Sequence, residues 1–84
     1  IEEVLKKSAV IDEIIEKAAP DWPIDKISVV DRNILRIAVY ELLYQKDVPT
    51  NVVISEAVSL AESLSTAESS AFVNGTLGTI SKKI

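Results

Sequence analysis

Carboxylates and cationic side chains are the abundant groups in this sequence that could move a proton or hold a charged ligand, and their spacing argues against a reaction centre. Glu2 with Glu3 and Asp12 with Glu13 are adjacent in the chain. Neighbours on a helix project about 100° apart, so neither pair forms the facing dyad that acid–base chemistry needs. Arg32, Arg36 and Tyr40 follow steps of four, with Glu41 next to Tyr40, and line one edge of a helix, and Glu56 lies on a later helix that can converge on it. Arginines beside carboxylates form struts more readily than they tune a general base. Arg32, Arg36, Glu41 and Glu56 are therefore expected to make structural ion pairs, and no residue is assigned a catalytic role.

The remaining chemistry is narrowed by what the sequence lacks. With no histidine, the commonest metal ligand and the usual neutral-pH acid–base group are missing. With no cysteine, thiolate catalysis, disulfides and cysteine-bound zinc go too. The only two glycines, Gly75 and Gly78, stand three apart with no lysine between them, so no phosphate-cradling loop exists. The expectation is a binding protein, not an enzyme, with no metal and no cofactor. A formal net charge of −4, from nine basic and thirteen acidic residues, repels a phosphate backbone. No apolar run approaches the roughly 20 residues of a membrane span, and no signal-peptide pattern is present. These features predict a cytoplasmic chain without a membrane role. Its 84 residues allow a single domain, 1–84, with a thin core. The start at Ile1 instead of methionine suggests a further piece upstream.

The elements that must position these residues are helices. Val4, Ser8, Ile11, Ile15 and Ala18 recur at steps of three and four, predicting an amphipathic helix over Glu2–Ala18 in which Glu13 pairs with Lys17. Pro20 and Pro23 stop it and bracket Trp22, which is expected to cap the core from a turn. Ser28 can cap the amide of Asp31 and open a second helix running to about Tyr44. Its apolar residues Ile34, Leu35, Ile37, Ala38, Val39, Leu42 and Leu43 cover more than half the circumference, which places it at the centre. Pro49 precedes a third helix, Thr50 to Leu64, with Val53, Ile54, Ala57, Val58, Leu60, Ala61 and Leu64 inward. Ser65 and Glu68 have capping-box spacing and predict the start of a fourth helix with Phe72, Val73, Leu77 and Ile80 inward. Gly75 and Gly78 interrupt it, and Gly75 is expected to admit a neighbouring helix. The fold class is all-α, a small antiparallel bundle of about four helices.

Three stretches, taken in order, resemble one family. Asp31-Arg32-Asn33-Ile34-Leu35-Arg36-Ile37-Ala38-Val39-Tyr40-Glu41-Leu42, then Val48-Pro49 leading to Val53-Ile54-Ser55-Glu56-Ala57-Val58 and Leu60-Ala61, then Phe72-Val73-Asn74-Gly75-Thr76-Leu77, resemble the C-terminal half of the NusB family. Trp22 and the run from Ile11 to Ile15 fit the same pattern.

The resemblance implies a bundle on which an N-terminal helical subdomain packs. It implies pairing with NusE, a small-subunit ribosomal protein, and contact of that heterodimer with boxA RNA to support transcription antitermination. Phe72 matches the aromatic of the Phe-Val-Asn-Gly motif, near which RNA contacts are expected. Asn74 and Gly75 of that motif are assigned to helix packing. The family's arginine-rich first helix has no counterpart in these residues, and Ser55, Ser59 and Glu62 replace other side chains usual in the family. Both departures turn the expected surface from RNA toward a protein partner, with boxA-type RNA held weakly. Two alternatives remain: a truncated helical module that covers its apolar face by homo-oligomerising, and the RNA-recruiting domain of a ribosomal RNA methyltransferase.

Overall fold

A computed structural model describes residues 2–22, 26–45 and 47–83, with side chains from Lys7 onward. Val4 and the Glu2–Glu3 pair, as side chains, and Pro23 lie outside the described residues. Four helices follow one another: α1 Glu2–Ala18, α2 Val29–Tyr44, α3 Thr50–Leu64 and α4 Ala67–Lys83. The radius of gyration is 11.9 Å, the size expected of a compact chain this long.

α2 touches each of the other three helices, as its wide apolar stripe predicts, and α4 does the same. Leu35 and Val39 are wholly buried on α2, meeting Ile15 of α1, Ala61 of α3, and Val73 and Leu77 of α4 in one continuous core. The Ser28 hydroxyl accepts from the Asp31 amide at 3.2 Å, the predicted cap. At the start of α3 the carbonyl of Pro49 accepts from Val52 and Val53, and the missing proline donor costs nothing there. α1 lays Ile11 and Ile15 onto α2 and α4, with Ser8 and Ala18 half-buried beside them. On its outer face Lys17 reaches Glu13 at 3.0 Å.

Four expectations change. α4 begins at Ala67, not Ser65, because Ser65 closes α3 by donating its amide to Ala61. Thr66 then supplies the cap, its hydroxyl accepting from the Ser69 amide at 3.1 Å. The apolar stripes are too generous: Ile37 is 57% exposed, and Leu60 and Leu64 are exposed on the matching side of α3. A Cβ built on Gly75 meets open space, and Asn74 is exposed, so neither residue packs one helix against another. The carbonyls of Gly75 and Gly78 instead accept hydroxyls from Thr79 and Ser81. Trp22 is half-exposed and does not close the core.

Candidate functional site

Helix α4 carries Phe72 half-buried at the edge of the core, where the turn after α1 brings Trp22 against it. The two rings meet edge to face, with centroids 5.9 Å apart and planes at 63°. Trp22 is 53% exposed, and the pair borders a recess of about 300 Å³ that is also lined by Ser28, the cap of α2, and by Asp31 in its first turn. Lys26 and Glu68 stand on its rim. Aromatic faces beside a polar floor suit a planar polar ligand.

The sequence pointed to Phe72 alone. It assigned Trp22 to the core and Asp31 to the helix dipole. Asp31 is nonetheless buried, and its Oδ1 has no hydrogen-bond partner among the described residues. A buried aspartate at the third position of a helix looks like an ordinary dipole partner until its neighbours are placed.

The proposed ion pairs are redistributed. Arg36 reaches across to α1, donating from Nε to Asp12 Oδ1 at 2.7 Å and from its terminal nitrogen to Asp12 Oδ2 at 2.8 Å. This fork-to-fork geometry is the strong form of the arginine–carboxylate contact. The hydrogen bond to Asp12 raises the Arg36 guanidinium above its ordinary value, with the carboxylate's charge adding to it and burial opposing it. Among the described residues Glu41 and Glu56 make no ion pair; both line a small groove between α2 and α3 together with Ile34, Val53 and Ala57. Arg32 is half-buried on α2. In the sequence Asp12 stood out only as a neighbour of Glu13, and the crossing of α1 over α2 reveals its partner.

A second groove, about 570 Å³, runs between α1 and α2 past Ile11, Arg36, Ile37 and Glu41. At its end Tyr40 and Tyr44 lie 5.1 Å apart, and the Lys7 ammonium sits 4.8 Å from the Tyr44 ring centre. That distance is within cation–π range. No helix among the described residues is long and apolar enough to cross a membrane.

Four helices with an aromatic recess beside α4 and an arginine clamp between α1 and α2 define a small all-α module. The comparisons give the family: the NusB family model matches residues 1–82, and the chain belongs to that family. The transcription antitermination protein NusB of Thermodesulfovibrio yellowstonii is 46% identical over 83 residues, covering 99% of this chain and 55% of that protein. Its counterpart in Thermobifida fusca is 55% identical over 73 residues, covering 87% of this chain and 51% of that protein. A solved structure of T. maritima NusB superposes with a TM-score of 0.89 at 42% identity, over 95% of this chain and 56% of that one. The chain thus spans about half the length of the relatives it matches.

Proposed function

We propose that this chain is the part of a transcription antitermination factor that contacts RNA through the Trp22–Phe72 recess and joins a ribosomal-protein partner of the NusE kind on boxA-type RNA. The observation that carries the reading is the aromatic pair itself: Phe72 occupies the family's Phe-Val-Asn-Gly motif and is half-buried beside an exposed tryptophan. Single-stranded RNA is recognised largely by stacking unpaired bases on such rings. The relatives' names favour antitermination over the methyltransferase-attached alternative. With a net charge of −4, the chain adds little phosphate attraction of its own, so RNA affinity depends on the partner and on the rest of the factor.

A gel shift with boxA-type RNA, with and without the ribosomal partner, tests this. Weak binding alone and a tighter ternary complex are expected. Phe72→Ala should weaken the ternary complex by roughly 5- to 150-fold, the range for losing one base–aromatic stack, with an unchanged helical circular dichroism signal. A variant that binds RNA as well as the parent protein removes Phe72 from the interface.

A further inference from the structure

We propose that Asn74 and Gly75 form a latent site of spontaneous modification: α4 holds it inert in the folded chain, and opening of that helix lets the Gly75 nitrogen convert Asn74 to aspartate and isoaspartate.

Asn74 is exposed near the midpoint of α4, and its side chain makes no hydrogen bond among the described residues. A Cβ built on Gly75 meets open space, so packing accounts for neither residue. Glycine after asparagine leaves the backbone nitrogen most open to attack the side-chain amide, because no side chain stands beside the nucleophile. Asn33 and Asn51, the other two asparagines, precede Ile34 and Val52, whose branched Cβ atoms crowd the same approach.

The reaction needs only water. The Gly75 nitrogen gives its proton to hydroxide and bonds to Asn74 Cγ. The Cγ–Nδ2 bond then breaks, the leaving nitrogen takes a proton from water, and ammonia departs from a five-membered imide. Water reopens that ring, at the side-chain carbonyl to give aspartate or at the backbone carbonyl to give isoaspartate.

Helix α4 blocks the first step twice. In an α-helix the Gly75 N–H donates to the carbonyl of Ala71, four residues back. Ring closure also brings Cβ and that nitrogen nearly eclipsed about the Cα–C bond, a rotation of roughly 80° from the helical ψ of about −42°. Both demands require unwinding, and Val73, Leu77 and Ile80 hold this stretch in the core. Isoaspartate adds a methylene to the backbone, so the helical hydrogen bonds do not regain their register after conversion. Phe72 lies two positions away, and its contact with Trp22 is disturbed by the same event.

The whole chain is incubated at one mildly alkaline pH in buffer and in unfolding urea, and peptide mapping by mass spectrometry reads aspartate and isoaspartate at each asparagine. In urea Asn74 should convert well ahead of Asn33 and Asn51. In buffer its conversion should be slower by at least about a hundredfold, reflecting the small population of states that open a core helix. Ile80→Val, a mild loosening of the core, should raise the rate in buffer by about two- to tenfold and leave the rate in urea unchanged. Gly75→Ala should suppress conversion in urea.

Conversion of Asn74 as fast in buffer as in urea, or an Ile80→Val protein that keeps the parent rate in buffer, overturns the sealing by α4. An Asn74 that stays intact in urea, converts there no faster than Asn51, or keeps its urea rate in Gly75→Ala overturns the site itself.

Discussion

Replacing Arg36 with lysine separates the charge of the α1–α2 clamp from its geometry. The native contact has two hydrogen bonds, 2.7 and 2.8 Å long, between side chains that remain 35% and 25% exposed. Fully exposed ion pairs contribute roughly 0.2–1 kcal/mol, and hydrogen bonds to charged groups about 1.5–3 kcal/mol. Partial exposure puts this one between them, at about 1–1.5 kcal/mol after solvent screening. Lysine keeps the charge but cannot form the planar fork, so Arg36→Lys should lose more than half of that energy. At about 4–8 °C per kcal/mol for a domain of this size, the melting temperature should fall by several degrees.

The assay is a double-mutant cycle in urea using Arg36→Lys, Arg36→Ala and Asp12→Asn, with the Arg36→Ala/Asp12→Asn coupling energy expected near 1 kcal/mol. The pH dependence carries a sign. Because Asp12 raises the folded value of Arg36, the guanidinium's contribution is fully present below its ordinary value and fades only as pH rises through the folded one. Both lie far above neutrality, so this contribution should stay constant from about pH 6 to pH 9. A coupling below about 0.3 kcal/mol, the limit of additivity for independent sites, would refute the clamp. So would an Arg36→Lys protein as stable as its parent.

Other perturbations test the fold more locally. Gly75→Ala should stabilise the chain by about 0.5–1 kcal/mol, since the new methyl enters open space in a helix interior; a lower melting temperature would contradict that geometry. Thr66→Ala should cost about 1 kcal/mol and Ser65→Ala much less, because the Thr66 hydroxyl holds the Ser69 amide; urea midpoints that rank them the other way would restore Ser65 as the cap. Leu35→Ala, at a wholly buried position, should cost about 2–5 kcal/mol. Set against a total of roughly 0.05–0.15 kcal/mol per residue, that is enough to blunt or abolish cooperative unfolding by calorimetry.

Local rules carried the fold further than the site. Period, proline and capping residues predicted α1, α2 and α3 with the ends they have, since each signal lies within a few residues of the feature it sets. The start of α4 escaped because two neighbouring hydroxyls compete for one role, and the end of α3 had already claimed Ser65. Contacts between helices were less legible. The sequence grouped Arg36 with Glu41 and Glu56, whereas its partner, Asp12, lies 24 residues away on α1. Ile37 and Leu60 are as apolar as their buried neighbours, and side-chain type does not say which stripe another element covers. The recess was half visible: Phe72 stood out through its motif, whereas Trp22 and Asp31 join it only where three elements meet.

The joint between α3 and α4 is two residues long, Ser65 and Thr66, and the helices it connects share the most extensive interface in the molecule. Closing so short a loop loses little entropy, which favours this hairpin as the seed of folding on the microsecond scale of local helix and loop events. α1 has no such neighbour. It is joined to α2 by a longer connection, and its packing on α4 can form only once distant parts of the chain have met. α1 is therefore the element most readily released in partial opening, and Trp22, on the turn that follows it, moves with that event.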